Sequence, residues 1–140
     1  MGTVTEMAGK PKKVALAQTP PTVMSAAEFK VLRERLGLSA AWVARKLGTF
    51  ERTLSRWETD AHPVREDAAD LLRKVAAETA VVVTLVAKKH KPGTTLKTYR
   101  YDERVDFQGK HGPYPASWHR AMIGRVAAVL DCDARIAYDD

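Results

Sequence analysis

The side chains best suited to recognition are Glu51, Arg52, Ser55 and Arg56, in the run ERTLSR at 51–56. An arginine guanidinium donates two parallel hydrogen bonds, to a carboxylate, a phosphate or the O6 and N7 edge of guanine, and a glutamate accepts one from the amino group of cytosine. On a helix, positions 51, 52, 55 and 56 share one face, and Leu54 and Trp57 fall on the other. The pattern describes a short polar helix pinned by apolar residues so that its polar tips sit at fixed places. On residue types alone, an ordinary solvated helix face accounts for the run equally well.

Other chemistries find less support. His90, His111, His119 and Cys132 show no ligand spacing, and neither C-x-x-C nor H-x-x-x-H occurs. Asp102, Glu103 and Asp106 alternate with Arg100 and Arg104 and read as a solvated stretch, not as convergent carboxylates. No metal, no cofactor and no enzymatic activity is therefore expected. One cysteine excludes an internal disulfide framework and suits a reducing compartment. The apolar run at 75–87 contains Glu78 and is shorter than the roughly 20 residues that span a bilayer. With no apolar segment beside the N-terminal lysines, a cytoplasmic protein of a bacterial or phage-infected cell, without membrane association, is expected.

The net charge of +6 is unevenly spread: residues 87–125 hold nine basic and three acidic side chains, and the last fifteen residues are acidic. Such an excess attracts polyanions, and also serves solubility alone. The chain length of 140 residues suits one compact domain, or a small domain with an appendage.

The elements that would position the polar run are legible from periodicity and punctuation. Residues 1–24, with prolines, glycines and Lys10, Lys12 and Lys13, read as a disordered basic tail. Ser25 and Glu28 form a capping box for a helix at 26–36, with Phe29, Leu32 and Leu36 inward and Gly37 as its stop. Ser39 caps a second helix at 40–47, closed by Gly48, and a third covers 50–58. Pro63 opens a fourth near 64, whose 3.6-residue spacing continues through the β-branched run TAVVVTLV; helix is expected there over strand. Pro92-Gly93 marks a turn, 94–101 alternates like a strand, 102–107 suggests a short helical turn, and 115–130 reads as a last helix. The final ARIAYDD forms a further strand or stays loose. The fold class is mostly α: a four-helix N-terminal domain at 25–90 with a long fourth helix, then a small α+β part at 91–140.

Ser39, Val43, Ala44, Leu47, Gly48, Thr53, Leu54, Ser55, Trp57 and Glu58 together resemble the phage-repressor (Cro/cI, XRE-type) helix-turn-helix family over about residues 25–75. The resemblance implies a double-stranded DNA operator as partner. It puts Glu51, Arg52 and Arg56 on base-reading positions, with Thr49, Phe50 and Ser55 bordering them. It also implies an ion pair between Arg33 and Glu58 that orients the third helix. Two departures stand out: the glutamine that usually grips a phosphate is Ala40, and the glycine that usually follows the third helix is Asp60. Backbone grip then falls to Arg45, Lys46, the N–H groups at Ala40 and Ala41, or Lys12 and Lys13 of the tail.

The segment SWHRAMIGRVAAVL resembles anti-CRISPR-associated autorepressors and related bacterial regulators, which carry a C-terminal dimerisation module. That resemblance implies a homodimer paired through Leu96, Tyr99, Trp118, Met122 and Val126. The alternative is an antitoxin-like module that binds a protein partner through its C-terminal region.

Overall fold

The computed structural model describes residues 23–102, 114–130 and 134–139. The tail at 1–22 with Lys12 and Lys13, most of the turn expected at 102–107, and His111 and Cys132 lie outside them. Among the described residues the fold is mostly α: five helices and one two-stranded sheet, with the helix-turn-helix at the N-terminal end.

The first three helices are short, and a serine caps each of the first two. Before α1 (Ala26–Arg35), the Ser25 hydroxyl accepts from the Glu28 N–H at 3.0 Å, and the Glu28 carboxylate accepts from the Ser25 N–H at 2.9 Å. This reciprocal capping box satisfies two backbone donors that a helix start leaves open. Before α2 (Ala40–Leu47), the Ser39 hydroxyl accepts from the Trp42 N–H at 3.0 Å. Gly37 (φ 72°) and Gly48 (φ 67°) end the two helices in the left-handed region. α3 (Glu51–Glu58) begins one residue later than periodicity predicts, because Phe50 is extended and serves as its N-cap residue. Asp60 holds φ 68° where a glycine is usual, at a position that aspartate tolerates better than most side chains.

α4 (Glu66–Lys89) is helical throughout and about 36 Å long at 1.5 Å per residue, starting two residues past the expected point. Its β-branched segment stays helical because packing outweighs propensity. Thr79 and Val83 are buried, and the Thr79 hydroxyl donates back to the Val75 carbonyl at 2.6 Å while accepting from the Trp118 indole N–H at 2.8 Å. β1 (Thr95–Thr98) is shorter than the strand expected at 94–101, and α5 (Ala116–Val129) lies within the helix expected at 115–130. The C-terminal run does form a strand, β2 (Arg135–Tyr138), parallel to β1 with Thr95 opposite Arg135 and Thr98 opposite Tyr138.

One continuous core joins the helix-turn-helix to the C-terminal elements. Phe29 of α1 meets Trp57 of α3 edge to face at 5.8 Å. Trp42 of α2 packs on Tyr114 at 6.0 Å, and Tyr114 on Trp118 of α5 at 4.9 Å. The tightest approach is at Gly37: a β-carbon there would lie 2.3 Å from the Ser117 carbonyl oxygen. The Ser117 hydroxyl donates to the Gly37 carbonyl.

This core takes in most of the residues that the resemblance places at a dimer contact. Leu96, Trp118, Met122 and Val126 are buried within the protomer, Trp118 and Val126 with no exposure at all. Of the five, only Tyr99 remains partly exposed.

Two glycines that look alike in sequence should therefore respond differently to alanine. At Gly48 nothing lies within 4 Å of the added β-carbon. Gly48→Ala then costs only the backbone term, about 1–2 kcal/mol. Gly37→Ala adds overpacking of about 1–3 kcal/mol to the same backbone cost; urea denaturation of both variants measures the difference. A second expectation concerns alkali. Burial pushes the Tyr114 phenol's pKa upward, helped by its hydrogen bond to Glu78 and that carboxylate's charge. The protonated phenol is favoured in the folded state, so its contribution is complete below the unfolded tyrosine pKa of about 10 and declines as pH rises beyond it. Tyr114→Phe should flatten the alkaline side of the stability profile.

Candidate nucleic-acid interface

The candidate site is the outer face of α3. At about 100° per residue, Glu51, Arg52, Ser55 and Arg56 occupy one arc, and Leu54 and Trp57 lie opposite. The structure follows this division: the four polar residues are exposed, and Leu54 and Trp57 are buried. Among the described residues, none of Glu51, Arg52 and Arg56 is in an ion pair with another, so their donors and acceptors face solvent. Thr49 and Phe50 stand at the entry to α3; Thr49 is partly buried, its N–H donating to the Ala44 carbonyl at 2.9 Å, and Phe50 is exposed.

What fixes α3 is a clamp at its C-terminal end. Arg33 of α1 donates through Nε to Glu58 Oε2 at 2.6 Å and through Nη2 to Oε1 at 3.1 Å, a two-pronged pair. Its remaining Nη1 donates to the Leu38 carbonyl at 2.9 Å, in the turn between α1 and α2. The two side chains are 12% and 9% exposed, so the pair is largely shielded from water. The hydrogen bonds that Arg33 donates to Glu58 hold its guanidinium above its usual pKa, although burial acts the other way. One arginine thus ties together α1, the α1–α2 turn and α3. The ion pair is the one the family resemblance implies; the third bond, to a backbone carbonyl, has no signature in residue types.

Flanking groups are placed as follows. Arg45 and Lys46 are exposed at the end of α2, with the Lys46 ammonium 5.4 Å from the Trp42 ring centre. Ala40 has no polar side chain, and the N-terminus of α2 offers only backbone donors at that point. Sequence reasoning missed Arg65, whose guanidinium lies 5.4 Å from the Trp57 ring centre and bonds Asp67 at 2.9 and 2.7 Å. Spacing of two residues gives no helical signal, and the aromatic partner is remote in sequence. Trp42 is buried against Tyr114.

The fold and this geometry define a helix-turn-helix domain. Residues 26–84 match a family model described as a helix-turn-helix domain. The match runs from the start of α1 into α4 and leaves α5 and both strands outside it. No curated protein matches the chain in sequence. No helix among the described residues is long and apolar enough to cross a membrane.

Breaking the clamp from either side should be costly. Arg33→Ala strands a shielded carboxylate, and Glu58→Gln removes the charge partner; each should destabilise the fold by about 2–3 kcal/mol in urea denaturation. Arg33→Lys should recover little, because an ammonium cannot present the planar fork.

Proposed function

We propose that the chain is a sequence-specific DNA-binding transcriptional regulator of the bacterial or phage-infected cytoplasm, a homodimeric repressor that reads an inverted repeat with α3 and blocks a promoter, its own in the simplest case. The observation that carries this reading is the outer face of α3, where Glu51, Arg52, Ser55 and Arg56 are exposed on a helix fixed from behind by Leu54, Trp57 and the Arg33–Glu58 clamp. Rigid placement is what base reading needs, since each two-pronged contact depends on the angle at which the guanidinium arrives. Arg45, Lys46 and the α2 N-terminus supply phosphate contacts, and Lys12 and Lys13 add salt-sensitive affinity.

Pairing of two chains draws on apolar side chains left outside the core: Val129 of α5, Ile136 and Tyr138 of β2, and Val81 and Leu85 of α4. Two recognition helices about 34 Å apart would meet successive major grooves on one side of the duplex.

The second reading, an antitoxin-like protein-interaction module, is favoured by one observation. Val81 and Leu85 are 59% and 49% exposed, large apolar side chains on the solvent side of α4. Sedimentation equilibrium separates the two: a dimer in which Val81→Glu and Leu85→Glu have no effect on mass leaves that face for another partner.

The central test is binding of the purified protein to its own upstream DNA beside scrambled DNA, at two salt concentrations. An operator-reading dimer prefers the inverted repeat about a thousandfold or more. Arg56→Ala should cost about 1–3 kcal/mol on that site and little on scrambled DNA. The double variant Lys12→Ala, Lys13→Ala should weaken both alike and lower the salt slope by up to about two. Equal losses on both DNAs from Arg56→Ala would remove α3 as the reader.

A further inference from the structure

We propose that the groove between the C-terminal turns of α4, α5 and β1 binds a small organic anion with an apolar body, and that its occupancy acts on the helix-turn-helix through α5. The second half rests on the DNA-binding reading above; the first does not.

The groove measures about 460 Å³, within the range of about 300–1,000 Å³ common for small-ligand sites. Its floor is apolar, made by Val86 of α4, Leu96 of β1, and Met122 and Ile123 of α5. Its rim carries Lys89, Lys91 and Lys97, and no acidic side chain lines it among the described residues. At one end the buried His119 ring holds its Nδ1 2.9 Å from the Thr98 hydroxyl, with the Tyr99 ring edge-on at 4.9 Å.

This combination selects its occupant. An organic cation meets three like charges. A neutral apolar molecule uses the floor and leaves the lysines unused. A bare phosphate or a nucleic-acid backbone uses the lysines and leaves the apolar floor wet. A carboxylate on a hydrocarbon or aromatic body satisfies both, laying its body on Val86, the exposed edge of Leu96 and the methylene stems of the lysines while the ammonium groups face its charge.

A short chain of contacts connects the groove to α3. The helix that supplies His119, Met122 and Ile123 to the groove places Ser117, one turn earlier, directly on Gly37. The next residue, Leu38, gives its carbonyl to Arg33, and Arg33 holds Glu58 of α3. A ligand that shifts α5 therefore presses on the same turn that sets the clamp.

Calorimetric titration of the full chain with decanoate, and with decanol as the uncharged control, tests the site. Decanoate should bind at least about tenfold more tightly than decanol. The exposed-residue variants Lys97→Glu and Lys89→Glu should lose that preference with their helical circular dichroism unchanged. Equal binding of the two probes overturns the proposal. So does no binding of either, the result expected if a second copy of the chain already fills the groove. The effector role is read separately, as upstream-DNA affinity with and without saturating decanoate. A change of about fivefold or more, lost in Ser117→Ala while decanoate still binds, supports it; unchanged affinity with decanoate bound overturns it. A protein that binds decanoate but no DNA refutes the proposed function and leaves the anion site in place.

Discussion

α3 has eight residues, and a helix that short is marginal in water on its own. Its shape and direction therefore come from outside it. Leu54 and Trp57 bury one face, and the Arg33 guanidinium holds the far end through Glu58 while also bonding the α1–α2 turn. A two-pronged guanidinium–carboxylate pair fixes orientation as well as distance, because both partners are planar. Shielding from water strengthens the attraction but also adds a desolvation cost. The value of the clamp lies in geometry as much as in net stability: it leaves the exposed polar residues of α3 at a defined angle.

The same need for outside support explains why the C-terminal elements are not an independent appendage in structural terms. α5 lies along α4, sinks Trp118 into a core shared with Tyr114 and Trp42, and touches Gly37 backbone to backbone. Glycine is required at that turn for two separate reasons, a positive φ and the absence of room for a β-carbon. The α1–α2 turn is thus held from one side by Arg33 and from the other by Ser117. α5 and α3 are joined through two short links, a consequence of how the elements pack.

Much of this was legible beforehand. Ser25 with Glu28, Ser39, Gly37 and Gly48 mark helix ends because capping and left-handed closure depend on local chemistry. The inward and outward faces of α3 follow from periodicity. The long α4 follows too, because its apolar spacing keeps phase through a β-branched run. Phe50 shows the limit of such reading: it falls inside the helix expected at 50–58, yet its backbone is extended and its ring is exposed.

Periodicity also shows that a face is buried without showing what buries it. Leu96, Trp118, Met122 and Val126 are apolar at the right intervals, and a second chain would satisfy that pattern as well as α4 does. The sequence by itself determined where helices begin and end, which side of each is apolar, and which residues of α3 stand outward, since these depend on neighbours within a turn or two. Only the tertiary structure decided that the C-terminal apolar residues belong to the protomer's own core, that Arg33 reaches a backbone carbonyl, and that an apolar floor lies beneath three lysines. Those arrangements join residues from 5 to 80 positions apart, and contacts across such separations depend on how the elements pack, which no local pattern of residue types records.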